Sequence, residues 1–568
     1  MKNSNANGKK PKKLPRNIQN FTKIIFEDRL YADKTSYIYK ILTECDSKYL
    51  FLFRPRGFGK TLLLDTFNEL FQGPKELFEN LWITRETDYD FKPYPVLRLS
   101  LNFAETYSPE ALKNYFTQTL LAAAESMKVK LETSAADLGY GFILQDLLAG
   151  LYKKGAGTAV LIDDYDAPVS SHFDNSELAE ANCQVLHDFL TVLKGCEVFI
   201  RFVLVTGLTG FALKNDSGPD NFSDISLSPD FGGVCGFTVS EFDRLFGGRM
   251  DELLEVQKEN GSPAPNSRTS SLRKQILDWY GGYNWLGPEQ ILNPFAIVKL
   301  FSRKKFGRYW IQKDPPARLK ELIRSRPLDF LGPQTASCRS SKIGKIDLKR
   351  LDPGLVLFHS GYLAIDKEIS PPLTLGTGPR CTFKFPNKEA EEGYSSLITD
   401  TLGKRNFSVL KPWTANFLKA AELQDSAVID LLCTSLLSGV TPLPFKADEY
   451  FYHTHLQRFL AFGGAKVQAE WSGVPGRTDI IVEGPGKRYL IIAVRYRKSE
   501  AHHTEADIEQ ILAEASEETL KQLAEKDYCG PFSPPARKIL GMSLVFYGRD
   551  NVQSGFVSAG LLKPGPAG

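Results

Sequence analysis

A glycine-lysine-threonine triplet follows a short apolar segment near the start of the chain. The five residues that begin at Tyr49 are aromatic or leucine, as in a β-strand, and the apolar residues after Thr61 recur at helical spacing. Lys60 and Thr61 therefore stand where a helix begins, directly after a glycine-containing turn. Backbone N–H groups at such a helix N-terminus favour an anion. The spacing predicts a phosphate-binding loop in which Lys60 contacts the terminal phosphates and the Thr61 hydroxyl coordinates Mg²⁺.

The loop departs from the phosphate-loop pattern G-x-x-x-x-G-K-[ST] at one position. Arg54 replaces the first glycine, whereas the last three residues of the pattern are intact. The alternative is a strand–turn–helix corner that contains this triplet without binding a phosphate. The residues that we predict to hold a nucleotide are Arg54, Pro55, Arg56, Gly57, Phe58, Gly59, Lys60 and Thr61.

Two adjacent carboxylates stand at the end of a second apolar segment. Residues 158–162 lead directly into Asp163 and Asp164. Because this segment follows the predicted phosphate loop with one strand between them, it fits the strand that holds Mg²⁺ in P-loop proteins. We predict that Asp163 binds the metal and that Asp164 polarises the attacking water. The alternative is a strand that only ends in an acidic turn.

A further apolar segment, Val198–Gly207, ends in a small polar residue, Thr206. Strands that alternate with helices indicate an α/β fold with a parallel sheet, and ligands collect at the carboxyl ends of such strands. We therefore predict that Thr206 lies beside the γ-phosphate as a polar sensor and count it, with Asp164, among the catalytic residues. The alternative is a hydroxyl that only closes the strand.

The composition sets broad limits on the function. The chain has 568 residues, which suggests roughly three or four domains. The net charge of +3 gives no global argument for nucleic acid, and the eight cysteines form no Cys-x-x-Cys pair, as expected in a reducing compartment. No apolar segment is long enough to span a membrane, and we expect no secretory signal. A basic cluster at Lys9, Lys10, Lys12 and Lys13 is either a solvated arm or a nuclear-import or nucleic-acid patch, so the expected location is cytoplasmic or nuclear.

Six motifs in one order give the chain a family resemblance over roughly residues 14–310. They are Tyr31-Ala32-Asp33-Lys34-Thr35, the loop from Arg54 to Thr61, Leu161-Ile162-Asp163-Asp164-Tyr165-Asp166-Ala167-Pro168, Cys235-Gly236-Phe237-Thr238, Trp279-Tyr280-Gly281-Gly282-Tyr283 and Asn293-Pro294-Phe295. Weaker matches follow at Ser360-Gly361-Tyr362-Leu363 and Phe385-Pro386-Asn387-Lys388-Glu389. The chain resembles the predicted AAA-ATPase-like proteins, in which a P-loop module is usually followed by a PD-(D/E)xK nuclease-like domain. The Arg-Pro-Arg opening of the loop looks like the form that this family uses.

The resemblance has two departures that bear on catalysis. The family usually has Asp-Glu where this chain has Asp163-Asp164, and the shorter side chain of Asp164 implies slow hydrolysis. In the C-terminal part, Asp479 fills the place of the first metal ligand, with Glu449 and Glu470 as accessory carboxylates. Ala493 stands in place of the expected acid, and Arg495 stands in place of the expected lysine. Because arginine does not readily act as a base, this domain is expected to be nuclease-like in fold and inactive.

The implied fold class is α/β, with the parallel sheet of a P-loop NTPase, a helical subdomain and a C-terminal α/β nuclease-like domain. ATP and Mg²⁺ are the implied cofactors, nucleic acid is a candidate partner, no membrane contact is expected, and the oligomeric state is left open. The predicted segments are a basic flexible arm at 1–13, a P-loop domain at 14–240, a helical subdomain at 241–330, an intermediate region at 331–440 and the nuclease-like domain at 441–560.

Three hypotheses of function remain. The leading one is an ATP-binding protein that hydrolyses ATP slowly and is coupled to an inactive nuclease-like domain that holds nucleic acid. The second is an ATP-gated, Mg²⁺-dependent nuclease, in which Glu470 would replace the missing acid. The third is a non-enzymatic scaffold that a bound nucleotide stabilises.

Overall fold

The protein is described from a computed structural model. The described residues are 12–132, 139–172, 175–212, 222–259, 269–311, 317–325, 337–347, 352–369, 379–402, 410–438, 449–468, 480–484, 488–500, 502–525, 538–548 and 551–558. The chain divides into two compact units, Met1–Glu321 with Ala336–Ser395, and Leu322–Thr335 with Ser396–Gly568. The segment expected as an intermediate region is therefore shared between the two units.

A five-stranded parallel sheet forms the centre of the first unit. The strands of this part of the chain are β1 (Tyr49–Phe53), β2 (Val96–Ser100), β3 (Thr158–Asp163), β4 (Ile200–Gly207), β5 (Gly210–Ala212) and β6 (Ser223–Asp224). The order in the sheet is β2-β3-β4-β1-β6, and every pair in it is parallel. The prediction of an α/β fold with a parallel sheet is confirmed. Since β1 lies beside β4, and β4 beside β3, their carboxyl ends meet at one edge of the sheet.

Helices cover this sheet and continue beyond it. They are α1 (Phe21–Phe26), α2 (Thr35–Glu44), α3 (Lys60–Gln72), α4 (Trp82–Glu86), α5 (Pro109–Ser126), α6 (Tyr140–Lys153), α7 (Ala167–Ser170), α8 (Ser176–Gly195), α9 (Val239–Phe246), α10 (Met250–Glu259), α11 (Thr269–Tyr280) and α12 (Pro294–Arg303). Helix α9 begins with a capping box, because Thr238 and Glu241 each accept the backbone N–H of the other. Helices α9 to α12 share one apolar core with Phe242, Phe246 and Tyr280 at its centre.

The first unit is completed by several shorter elements and by α13 and α16, two helices that each cross the division between the units. They are β7 (Phe237–Thr238), β8 (Ile291–Leu292), α13 (Ala317–Ser325), β9 (Ser337–Arg339), α14 (Ser340–Ile343), β10 (Lys345–Asp347), α15 (Pro353–His359), β11 (Ala364–Ile369), β12 (Arg380–Lys384) and α16 (Lys388–Leu402). Strand β10 pairs in parallel with β5, and β9, β11 and β12 form an antiparallel sheet in the order β11-β12-β9. The pairing of β10 with β5 helps to hold this later segment in the first unit.

The second unit contains a mixed five-stranded sheet between helices. Its elements are α17 (Leu410–Leu423), α18 (Ser426–Ser438), α19 (Glu449–Phe462), β13 (Lys466–Gln468), β14 (Ile480–Gly484), β15 (Arg488–Arg497), α20 (Glu505–Glu525), β16 (Lys538–Tyr547) and β17 (Asn551–Ser558). The order follows the chain, and only the β15–β16 pair is parallel among the described strands of this sheet. Ile492 and Val494 pack with α17, α18 and α19, whereas Ile491 and Ala493 pack with α20, as the two-residue alternation of a strand requires.

In the part of the chain that the structure describes, no helix combines the length and the apolar character needed to cross a membrane.

Candidate nucleotide-binding site

The loop between β1 and α3 has the backbone of an anion-binding turn. Gly57 and Gly59 adopt positive φ angles of 79° and 97°, a conformation in which glycine carries no steric cost. Gly59 is the N-cap of α3 and has no side chain to accept the N–H groups of the first turn. These donors are therefore left for a bound ligand, and the helix dipole favours a negatively charged one.

Hydrogen bonds tether several carbonyl groups of this loop. The ammonium group of Lys60 donates to the carbonyl oxygens of Arg54 and Pro55 at 2.8 and 3.3 Å. The N–H of Gly236 donates to the carbonyl of Phe58 at 2.9 Å. In a trans peptide the C=O and N–H groups point in opposite directions, so the N–H that follows Phe58 faces away from Gly236. Tethered carbonyls thus orient the loop N–H groups that a phosphate would require.

The side chain of Arg54 turns away from this turn into the protein. Its guanidinium donates to the carbonyls of Phe53 and Ser226 at 2.8 Å and of Phe231 at 3.1 Å, and it lies 4.5 Å from the ring centre of Trp285. The residue is 1% exposed, and burial lowers the pKa of Arg54 to about 10. Arg54 can therefore replace the first glycine of the pattern because its side chain occupies space behind the loop, where it joins β1 to the segment after β6.

The two predicted acids adopt different environments at the end of β3. Asp163 is buried, and its Oδ1 accepts a 2.9 Å hydrogen bond from the Thr206 hydroxyl and a 3.1 Å bond from the backbone N–H of Asp164. Asp164 is half-buried with a φ of 51°, which turns it out of the strand. Burial and the neighbouring Asp163 raise the pKa of Asp164, whereas Lys60 and Arg56 act in the opposite direction.

Sequence reasoning assigned no role to a third acid, Asp166. It is 2% exposed, and its Oδ1 accepts the N–H of Leu208 at 2.7 Å. A Cβ atom at Gly207 would lie 2.5 Å from that oxygen, so the close approach requires glycine there. Burial raises the pKa of Asp166, and Lys60 opposes this shift. Asp166 ties the segment after β3 to the end of β4, and the spacing Asp-Asp-x-Asp was its signal in the sequence.

A cavity of about 440 Å³ lies in front of the loop. One wall is formed by the loop residues 56–61, and Asp164 and Asp166 also line it. The opposite walls come from the segment before α2 and from α12, and their lining side chains include Asn17, Ile18, Ile24, Leu30, Tyr31, Phe295, Val298 and Lys299. Its volume lies within the range of small-molecule and cofactor sites.

Asp65 holds the N-terminal segment against α3. Its Oδ2 accepts the N–H of Phe21 at 2.6 Å and the side-chain amide of Asn20 at 3.2 Å, and its Oδ1 pairs with Arg98 at 2.5 Å. A carboxylate in the second turn of the loop helix thus fixes the wall of the cavity that residues 15–31 supply. No local pattern in the sequence predicts this contact, because the partners of Asp65 are more than 30 residues away on both sides.

The structure brings most of the predicted site residues together. Residues 56–61 and Asp164 line the cavity, and Asp163 and Thr206 are hydrogen-bonded to each other directly behind Asp164. Arg54 and Pro55 do not line the cavity. Their carbonyl oxygens accept hydrogen bonds from Lys60.

The predicted residues of the second unit are only partly described. Asp479 and Glu470 lie outside the described residues. Ala493 is buried in β15. Nη1 of Arg495 lies 3.6 Å from Oε1 of Glu449. Nη2 of Arg495 also donates to Gln522 at 3.0 Å.

Residues 15–215 match the family model for AAA-ATPase-like proteins, described as Predicted AAA-ATPase. The expected resemblance to this family is confirmed over that range. The match covers the loop between β1 and α3, Asp163 and Asp164 at the end of β3, and Thr206. It does not extend to the second unit, so the nuclease-like domain stays a prediction.

Individual proteins are also similar to the chain, and they include the following two. The first is named "Uncharacterized protein in vnfD 5'region" and comes from Azotobacter chroococcum mcd 1. It is 26% identical over 486 residues, which cover 84% of this chain and 88% of that protein. The second is the Orc1 protein of Aeropyrum pernix, solved in complex with DNA, at 10% identity and a TM-score of 0.21 over 65% of this chain and 91% of that one. At this TM-score the second likeness does not establish a shared fold.

Proposed function

We propose that the first unit binds ATP with Mg²⁺ and hydrolyses it slowly. One observation carries the proposal: a glycine-containing loop with tethered carbonyls, a buried lysine and a group of carboxylates surround one cavity at the carboxyl edge of a parallel sheet. Burial lowers the pKa of Lys60, and Asp164, Asp166 and Asp163 act in the opposite direction and favour its charged form. A triphosphate would lie along the loop and the N-terminus of α3, with Lys60 on its terminal phosphates.

The apolar part of the cavity provides a place for the base. Ile18, Ile24 and Leu30 belong to the N-terminal segment that Asp65 ties to α3, and Val298 belongs to α12. An aromatic base would gain contact area there while its phosphates stay at the loop. This division of the cavity into a polar and an apolar part favours a nucleotide over inorganic phosphate alone.

The donor set fits Mg²⁺, a hard cation that prefers oxygen ligands. The Thr61 hydroxyl at the start of α3 and the carboxylate of Asp163 at the end of β3 would hold it, with Asp164 beside them. When bound, the ion would neutralise charge on the β- and γ-phosphates. The protein itself orients Asp163 through Thr206, and Asp164 would accept a hydrogen bond from the attacking water.

The first test compares wild type with Asp164→Asn, measuring ATP binding and turnover on both. We expect equal binding and a loss of turnover of roughly 100-fold or more in the variant, because the amide is a poor acceptor for the proton of the water. Asp88→Asn, at an exposed acid outside the cavity wall, is the matched control. Binding without turnover in wild type would exclude the ATPase and leave a nucleotide-dependent binding module.

The second test is Lys60→Ala. Loss of its charge-assisted contacts should weaken ATP binding by roughly 100-fold or more, while Lys40→Ala on the exposed side of α2 should leave it unchanged. If Lys60→Ala bound ATP as wild type does in a folded protein, the assignment of the loop would be wrong.

A second candidate function concerns the second unit, which we propose to be nuclease-like and to bind nucleic acid without cutting it. The 3.6 Å approach of Arg495 to Glu449 favours this over cleavage, because the guanidinium supplies positive charge where a nuclease would need a cation and a lysine. Asp479 would then be an acid without a second carboxylate beside it, because the position of that second acid is occupied by Ala493. Binding of labelled DNA and RNA with and without Mg²⁺ tests it, and cleavage that Asp479→Ala abolishes would instead establish the nuclease.

A further inference from the structure

The indole of Trp310 lies against the phosphate-binding loop, although the two are about 250 residues apart in the chain. Its Nε1–H donates to the carbonyl of Arg56. A Cβ atom at Gly57 would lie 2.8 Å from Cδ1 of this indole, and one at Gly361 would overlap its outer edge. The ring is therefore enclosed between two glycines, and its only polar atom is used on the loop.

This hydrogen bond determines the direction of one loop N–H. The carbonyl of Arg56 and the N–H of Gly57 belong to one trans peptide, so they point in opposite directions. With the carbonyl held by Trp310, the N–H of Gly57 faces away from the indole. The N–H of Gly236 has the same effect on the peptide that joins Phe58 to Gly59, because it holds the carbonyl of Phe58. Two donors from outside the loop thus orient two of its N–H groups.

Glu389 in turn fixes the backbone that carries Trp310. Its Oε1 accepts the N–H groups of Tyr309 and of Trp310, the latter at 2.6 Å. Glu389 is 2% exposed and lies in the first turn of α16, so its position is defined by a helix rather than by a surface loop. The carboxylate holds two consecutive amides and leaves the Trp310 side chain little freedom.

The start of α16 is anchored to the helical part of the unit. Asn387 caps the helix by accepting the N–H of Ala390 at 3.0 Å, and its side-chain amide donates to the carbonyl of Gly281 at 2.7 Å. The backbone of Gly282 packs so closely on Pro386 that no Cβ would fit. The motifs around Gly281, Gly361 and Glu389, which are far apart in the sequence, therefore converge on Trp310.

We infer that Trp310 and Glu389 are positioning residues for the phosphate-binding loop, and that they hold the Gly57 N–H in the direction that a nucleotide phosphate requires. The inference rests on the proposed nucleotide site and extends it to a part of the chain beyond the family match. Neither residue touches the nucleotide. Trp310 acts through the Arg56 carbonyl, and Glu389 acts through Trp310.

The test is ATP affinity in Trp310→Phe, which keeps an aromatic ring and removes the Nε1–H donor together with the outer part of the indole. We expect affinity to fall roughly fivefold to tenfold, the effect of one lost hydrogen bond, while the turnover of the saturated enzyme stays within about twofold. Tyr309→Phe is the matched control, because the hydroxyl of Tyr309 donates to the backbone carbonyl of Lys305 and not to the loop. Glu389→Ala should match Trp310→Phe, and Glu389→Gln, which keeps an oxygen acceptor, should recover part of the affinity.

The outcomes separate this inference from the proposed function. If wild type does not bind ATP, the proposed function fails. If wild type binds ATP and folded Trp310→Phe binds it equally well, only the positioning role is overturned. Should the variants fail to fold, hydrogen exchange of wild type decides: ATP should slow exchange of the Tyr309 and Trp310 amides, and unchanged exchange at saturating ATP would overturn the inference.

Discussion

The hydroxyl of Thr206 donates a 2.9 Å hydrogen bond to Oδ1 of Asp163, which joins the ends of β4 and β3. Both residues are buried, so the bond is shielded from water and fixes the carboxylate in one orientation. The sequence predicted Thr206 as a sensor of the γ-phosphate. The structure places its hydroxyl on the predicted metal ligand, which suggests an indirect role through Asp163.

Thr206→Val therefore tests the orientation of Asp163. The variant keeps the shape of the side chain and removes the donor. We expect the affinity for ATP with Mg²⁺ to fall about tenfold, as for loss of a hydrogen bond to a charged group, and the affinity without Mg²⁺ to stay unchanged. Titrations with and without a chelator measure both. Thr209→Val, which also removes a buried hydroxyl, is the control. An equal loss under both conditions would mean that Thr206 contacts the phosphates directly.

Arg54→Gly restores the general phosphate-loop pattern, yet we expect it to destabilise the protein. It removes three hydrogen bonds to the carbonyls of Phe53, Ser226 and Phe231 and leaves a cavity beside Trp285. The expected loss is about 3 kcal/mol in the free energy of unfolding, measured by urea denaturation. Arg54→Met fills more of this space than Arg54→Gly does, so its free energy of unfolding should fall by a smaller amount. A variant as stable as wild type would show that the buried guanidinium is dispensable.

Local patterns were sufficient for the parts of the site that are continuous in the chain. The strand–turn–helix at Lys60 and the strand ending at Asp163 each carry their own periodicity, and the alternation of strands and helices implied a parallel sheet. The direction of the Arg54 side chain could not be predicted, because its acceptors at Ser226 and Phe231 come from a distant loop. The contact of Trp310 with the loop depends on the same kind of long-range packing.

The stability of the fold should depend on the ionisation of Glu389. Burial raises the pKa of Glu389 from 4.5 to about 7, against the opposing effects of the Tyr309 and Trp310 amides and of Arg308. Tyr280 and Tyr283 also face this carboxylate. Between pH 4.5 and 7 the folded chain keeps a proton that the unfolded chain has released, so the free energy of unfolding falls as the pH rises through this window, by up to about 3 kcal/mol.

Glu389→Gln isolates this contribution, because the amide does not titrate. Its stability relative to wild type should increase from pH 5 to pH 8 in urea denaturation series. Glu391→Gln, at an exposed acid in the same first turn of α16, should follow wild type throughout. Parallel curves for wild type and Glu389→Gln would show that this carboxyl group keeps an ordinary pKa.

Gly57 and Gly59 offer a matched pair of substitutions, because both have positive φ but only one is enclosed. Alanine at Gly59 meets no atom within 4 Å, so Gly59→Ala should lose only the roughly 1–2 kcal/mol of a left-handed residue. Gly57→Ala adds contact with the Trp310 indole at 2.8 Å and should lose more stability and ATP affinity. In a Trp310→Ala background the additional loss should disappear, leaving the two alanine variants equal. A double-mutant cycle in urea denaturation measures this coupling, and additive effects would mean that the indole does not press on the loop in solution.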